Sequence, residues 1–326
     1  MVWRDSVNAA YSFIMISFHL RRNLLIMTLI IVFIGIVWLF ILLVSSLFTS
    51  DKSKGIASNK SINYIEKIDN FVLQGFDEKQ RILHFIKAKQ YFNFDNNPDL
   101  LLAPKVITYN KNGAEIYTIT SKRAQYLDTG EVKFKGEVDI RSKTGVTYKI
   151  NAKELSINTK THDLISHQEV IYFDERATVV AEGVYVKVTE DMMQLKGKNR
   201  IKQEDGQRIF TQDLFIDQSN QKKHYYSKHN TTYLASGNKI NAQGIDMDMK
   251  KRRAILLGKV KILQKSGASI DTKFLTVDRS SGNEIYSTKE KVHYQSKTLN
   301  IHSTGMYYNV KKQKIKLTGG VVGHYE

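Results

Sequence analysis

Residues Ile255–Gly267 read ILLGKVKILQKSG. Around Gly258 the apolar residues Ala254, Leu256, Val260 and Ile262 alternate with Lys259 and Lys261 on the other parity. A period of two is the mark of a strand with one buried face. Glycine inside a strand weakens it and marks a bulge, a bend or the close approach of another backbone.

The glycine recurs. Gly136, Gly197, Gly258 and Gly319 stand 61 residues apart, and so do Gly183, Gly244 and Gly305, with Lys122 in the fourth place. Gly206 and Gly267 form a third series, with Gly145 in register. The flanking side chains follow the same period. Two before the glycine stand Phe134, Leu195, Leu256 and Leu317; two after it, Val138, Asn199, Val260 and Val321; four after it, Ile140, Ile201, Ile262 and Gly323. Ile209-x-Thr211-x-x-Leu214-x-Ile216 matches Ile270-x-Thr272-x-x-Leu275-x-Val277, and Ile150-x-Ala152-x-x-Leu155-x-Ile157 matches after a two-residue insertion. Self-similarity at a fixed period is the sign of stacked units. Each unit holds about four short strands broken by Gly, Asn, Asp and Ser-Gly turns. Units cover 121–181, 182–242 and 243–303, a fourth is cut short, and 60–120 is a diverged earlier one with Gly75 placed 61 before Gly136. No helical periodicity follows residue 55. The expected fold is all-β: an elongated open β-jellyroll of stacked antiparallel strands, behind one N-terminal transmembrane helix.

That helix is Leu24–Phe48, 25 residues without a charge. At 1.5 Å per residue it spans roughly 37 Å, enough for a bilayer core of about 30 Å. Arg4, Arg21 and Arg22 precede it and favour a cytoplasmic N-terminus. The run is too long for a cleaved leader. Residues 51–326 would then lie outside the cytoplasm with 46 basic and 31 acidic residues, a net +15. That compartment argues against nucleic acid as the partner and leaves an anionic lipid or phosphorylated glycolipid. With no cysteine there is neither disulfide nor thiolate metal site. His224 and His229 would point to opposite faces of a strand, so no shared metal is expected. No Ser, His and Asp grouping points to catalysis, and no cofactor is expected.

The ordered set of words resembles a known family. An anchor, then YIEKIDNFVLQGFDEKQRILHFIKAKQ (Tyr64–Gln90), then the Gly136 unit with its Leu155-x-Ile157 word, looks like LptC, the single-span inner-membrane component of the lipopolysaccharide transport bridge. The later words, Gly244–Asp278 and Gly305–Tyr325, are similar to the LptA/OstA repeat. LptC-like proteins end near what is residue 200 here, so the chain reads as an LptC domain continued into an LptA-like one. The expected organisation is a cytoplasmic 1–23, the membrane helix 24–48, a linker 49–62, an LptC-like jellyroll 63–200 and an LptA/OstA-like extension 201–326. Whether 63–326 is one continuous roll or two is open at this point.

The resemblance implies a non-enzymatic conduit. An inner-membrane ABC transporter would load lipopolysaccharide into an apolar interior, and the lipid would pass toward the outer membrane. The interior-facing residues expected to touch acyl chains are Phe134, Val138, Ile140, Leu195, Ile201, Leu256, Val260, Ile262, Leu317 and Val321. The same columns would serve equally as the core of a packed sandwich. At the C-terminal end, Thr318, Gly319, Gly320, Val321, Val322, Gly323 and His324 are expected to offer an unpaired strand edge. The partner there would be an LptA-like protein or the N-terminal domain of the outer-membrane receptor. Tyr64–Phe76 would meet the transporter. The competing reading is a membrane-anchored periplasmic scaffold or signalling protein with a β-rich outer domain and no lipid.

Overall fold

The computed structural model describes residues 64–326 apart from 111, 128, 144–146, 160 and 326. The segments 1–23, 24–48 and 49–62, and Gly145, lie outside the described residues. Among the described residues no helix is long and apolar enough to cross a membrane. Asn63–Glu326 make one compact unit. Its 24 strands belong to one continuous sheet, and two three-residue 3-10 turns, Val188–Glu190 and Ser219–Gln221, are its helical elements.

The sheet is folded along a corner, and Arg253–Leu263 shows how. Its first half pairs with Gly244–Asp248 and its second half with Asn238–Ala242. On its other side it pairs with Ser269–Asp278 along its whole length, except that Leu257 and Gly258 together stand opposite Phe274. This two-against-one bulge turns the strand from one half of the sheet into the other. Glu131–Ser142 and Met192–Gln203 turn in the same way at Gly136 and Gly197. Ten strands cross the corner unbroken, and seven further rungs are split there into two strands each, as in Thr231–Ala235 after His224–Ser227. The result is 17 rungs, each antiparallel to the next in sequence, with no crossover. Four rungs make the 61-residue unit. The first sheet half contains His224–Ser227 and Gly244–Asp248, and the second contains Thr231–Ala235 and Asn238–Ala242. Because every rung serves both halves, the stack is 17 layers deep, roughly 75 Å at about 4.8 Å per layer. Counting strands as if each belonged to one half only gives ten layers and about 50 Å. Pairing is continuous through residues 200–201: Ile201 stands between Val179 and Ile209.

The repeated glycines have two separate reasons to be glycine. Gly136, Gly197, Gly258 and Gly319 have φ between +68° and +76°, a region that costs other residues about 1–2 kcal/mol. They also lack room: a Cβ on Gly258 would lie 2.9 Å from the Cβ of Gln243, and one on Gly136 3.2 Å from that of Lys122. Space and strain come apart at the hairpin tips. Gly130, Asp191, Arg252 and Gln313, again 61 apart, all have positive φ, yet three of them carry side chains. Gly183 and Gly244 have a third reason, since a Cβ there would lie 2.7 and 2.8 Å from the carbonyl oxygens of Ser166 and Ser227.

Two expectations are corrected. Residues 60–120 do supply an earlier set of rungs, but in a shifted register. The first rung, Glu66–Phe76, has its left-handed residue at Asn70 (φ 55°), and Gly75 instead lies opposite His84, whose ring covers it. At the other end, Thr318–Val321 form the corner rather than a strand. The ladder there is Lys314–Leu317 in one half and Val322–Tyr325 in the other.

Gly258→Ala should therefore cost about 1–2 kcal/mol more than Gly267→Ala in urea unfolding. Both glycines are left-handed, but a Cβ at Gly267 meets nothing within 4 Å. Equal losses would show that strain alone keeps Gly258.

Candidate functional site

The two sheet halves face each other over a tapering interior. Small residues line it near the corner, among them Ala152, Ser166, Ala181, Ser227 and Ala242, and larger Leu, Ile, Phe and Tyr fill it further out. Asn199 interrupts the valine column for a local reason. Its Nδ2 donates to the carbonyls of Leu195 (2.9 Å) and Gly197 (2.8 Å), on either side of the bulge's first residue.

Through the middle of the stack this interior is shut. Val138, Ile140, Leu195, Ile201, Leu256, Val260 and Ile262 are all at most 2% exposed, packed in one continuous apolar cluster. The open side of the fold, opposite the corner, is clasped there by polar groups reaching from turn to turn. In the first clasp Tyr225 donates to Asp174, Gln218 Nε2 donates to the Tyr172 hydroxyl (3.1 Å), and Lys223 pairs with Glu175 at 2.9 Å. In the second, Arg252 and Arg279 both hold Asp205, and Arg279 Nη1 donates to Gln203 Oε1 at 2.7 Å. In the third, Ser236 donates to Glu284. Burial raises the Tyr172 and Tyr225 hydroxyls well above their ordinary range and lowers the Arg279 guanidinium. In the basic run Lys250–Arg253, Lys251 pairs with Asp248 at 3.2 Å, Arg252 closes a clasp and Arg253 pairs with Asp278 at 2.6 Å.

At the N-terminal end the interior is open. A cavity of about 610 Å³ lies between the two halves. Its floor is apolar: Phe71, Ile86, Leu101, Val106, Val132, Phe134 and Ile157. Its rim is polar, with His84, Thr108 and Tyr117 from one half and Asp99, Thr159 and His162 from the other. Leu73 and Tyr126 line it while remaining 46% and 44% exposed. A volume near 20 waters at about 30 Å³ each suits one or two hydrocarbon chains, and each methylene buried contributes about 0.8 kcal/mol.

The rim histidines are built into place. Gly75 makes room for the His84 ring, and His162 sits in the left-handed region (φ 61°) with its N–H donating to the Asn158 carbonyl. Burial lowers both imidazoles below their ordinary value, and the charge of His162 lowers His84 further. Neither imidazole has a hydrogen-bond partner among the described residues. Asp99 is engaged by the Tyr91 hydroxyl (2.8 Å) and the Asn93 amide (2.9 Å).

An elongated, corner-folded roll with an apolar interior open at one end invites comparison with known proteins. The family model for lipopolysaccharide-assembly, LptC-related proteins matches residues 29–204, 186–265 and 262–326. The chain belongs to that family. No curated protein matches it. In this LptC-related chain the model matches three times in succession, as a stack of like units permits. The second and third matches carry the family likeness to residue 326, through the rungs that resemble the LptA repeat.

The ten residues expected to touch lipid fall into four groups. Phe134 lines the cavity. Seven are sealed in the closed interior, and Leu317 is half-buried against its far end. Val321 is a correction: it is 52% exposed, because it lies in the corner of the last rung, over which no further rung packs. The cavity floor from Phe71 to Val106 was missed by sequence reading. The Gly136 repeat does not extend in register into those rungs, although Phe71, Leu73, His84 and Ile86 already alternate on one parity of each strand.

Stability should fall as pH drops below about 6.5. His84 and His162 bind protons less readily when folded, so the stability they contribute is present above their unfolded value and lost as pH falls toward the folded one. Urea midpoints taken from pH 8 to 5 should show this, and His84→Gln/His162→Gln should flatten the curve over that window. An unchanged slope in the variant would remove the two histidines as its cause.

Proposed function

We propose that this chain carries lipopolysaccharide from an inner-membrane ABC transporter toward the outer membrane, taking acyl chains into the N-terminal cavity first. The observation that carries the reading is an apolar-floored, polar-rimmed cavity at the open end of a closed β-roll, in a member of the lipopolysaccharide-assembly family. A hydrocarbon chain gains about 0.8 kcal/mol per methylene there without any shape-specific contact. Hydrolysis of ATP belongs to the transporter, and the chain itself is not an enzyme. Leu24–Phe48 anchors it in the inner membrane, with 1–23 cytoplasmic and the roll periplasmic. The division into an LptC-like part, 63–200, and an LptA-like part, 201–326, is retained as a division of labour along one roll: entry in the first, passage in the second.

The end rungs suit partners. Val72 and Phe76 on the first rung, and Val322 and Tyr325 on the last, are each more than half exposed apolar residues beside a strand edge that no described residue pairs with. The first edge would meet the transporter. The second would extend the sheet into an LptA-like protein or the N-terminal domain of the outer-membrane receptor.

A photo-crosslinking residue placed in cells at Leu101, Leu256 or Lys259 tests the path. Adducts with lipopolysaccharide are expected at Leu101 and Leu256 and not at the exposed Lys259. Equal capture at Lys259 would defeat the interior route. Because Leu256 lies behind the clasps, capture there requires the halves to part. Bridging Asp205→Cys and Arg252→Cys with a short bis-maleimide should therefore leave capture at Leu101 intact and reduce it at Leu256 at least tenfold. Undiminished capture at Leu256 would mean that the clasps do not gate the lipid.

A further inference from the structure

The cavity's floor accounts for hydrocarbon, but its rim holds more polar capacity than hydrocarbon needs. His84 comes from the strand Ile82–Asn93 in one sheet half, and His162 from the turn after Lys149–Asn158 in the other. Each is half-buried, each lines the same opening, and neither has a hydrogen-bond partner among the described residues. A buried polar group without a partner is costly unless a ligand or water supplies one. Elsewhere in the stack the equivalent opening is bridged by carboxylates held by tyrosine, arginine or lysine, so the rim position is one where opposite charges and hydrogen bonds meet across the gap. At the histidines that bridge is missing, and both groups available to complete it become cationic on protonation.

We infer that His84 and His162 form the headgroup clamp of the cavity, taking a phosphate monoester carried by an acylated ligand between the two imidazoles. The inference rests on the lipid-binding reading above and adds to it a ligand class and the residues that select it. Thr159, on the same rim, already donates its hydroxyl to the Gly130 carbonyl at 2.7 Å, which leaves the two imidazoles as the donors to the phosphate oxygens. A phosphate between the rings accepts a charge-assisted hydrogen bond from each imidazolium and offsets the mutual repulsion of two cations.

The surroundings set the pH dependence. Of the nearby acids Asp77 is offset by a cation, whereas Asp99 and Asp163 accept from neutral donors and keep a negative charge that opposes an anion. Asp99 accepts from Tyr91 and Asn93, and Asp163, beside His162, accepts from the Tyr185 hydroxyl at 3.0 Å. Asp77, in the turn before His84, is paired with Arg81 at 2.5 Å. Tyr117 also lines the cavity, and burial raises its hydroxyl above the ordinary range. The two imidazoles, both held below their ordinary value, gain charge as pH falls below about 6.5, and anion binding should strengthen as they protonate.

The test uses the full chain held in amphipol and two single-chain probes that differ in the headgroup, oleoyl lysophosphatidate and monoolein. By titration calorimetry at pH 6, lysophosphatidate should bind at least about fivefold tighter than monoolein, and the ratio should fall toward one at pH 8. Glycerol 3-phosphate, which has the phosphate without the chain, should not displace it at millimolar concentration. His84→Asn/His162→Asn should bring the ratio at pH 6 to about one. The single variants, each expected to halve it, serve if the double variant does not fold. A ratio that survives the substitutions, or does not change with pH, overturns the clamp. If neither probe binds, the lipid reading of the cavity fails and the clamp fails with it. If both bind with equal affinity at both pH values, the cavity reading stands and the clamp alone is lost.

Discussion

A sheet with one apolar face has to hide that face, and this chain hides it by bending every rung at the same place. The bend is a two-against-one bulge on Glu131–Ser142, Met192–Gln203 and Arg253–Leu263, and a break on the split rungs. At the bulge the backbone enters a region that L-residues avoid, in a spot where a Cβ would press on the preceding rung. Everything else follows from this constraint. The two halves face each other because each rung turns there. The interior tapers because side chains close to the bend have little room. The open side lies opposite the bend, so it is along that side that the halves must be held together or left apart.

The fold treats its open side differently along its length. Near the N-terminal end the inner faces stand apart and the rim groups do not meet. Beyond Tyr172 they are joined by three polar clasps over a core that is almost wholly buried. Polar clasps are a suitable means of reversible closure. A hydrogen bond between protein groups replaces one to water, so its net worth is only about 1.5–3 kcal/mol even where a charged group takes part, and parting the halves exchanges it back. The apolar interior behind it resists parting more strongly, unless another apolar surface takes the place of the one withdrawn. Hydrocarbon is such a surface.

Much of this was legible in the sequence, for a physical reason. Period-two alternation and left-handed glycines are local demands, and a stack of like rungs repeats them at a fixed interval. The columns through Leu195, Leu256, Val260 and Ile262 were therefore placed correctly on the inner face. What a column does not encode is whether the space in front of it is filled, since that depends on the opposite half. Leu256 and Phe134 occupy equivalent places in the repeat, yet one is sealed and the other looks into a cavity. The clasps were invisible for the same reason. Arg279 and Asp205 meet across the gap from 74 positions apart in the chain, and nothing in either neighbourhood marks the pairing. Val321 failed because the alternation assumes a rung on both sides, and the last rung has one on one side only.

The strictly sequential order of the rungs bears on how such a chain is made. Each rung pairs with the one before it, so its partner already exists when it is synthesised. No strand waits for one synthesised much later, and loop closure is confined to short turns. The longest ties are the clasps, between turns 46–76 residues apart, so they come last and act on a stack already formed. A chain of this kind carries at its growing end a single free edge, which is lost when the next rung arrives. The exposed strand that partners would use in the finished molecule is thus the same state every rung passes through during assembly.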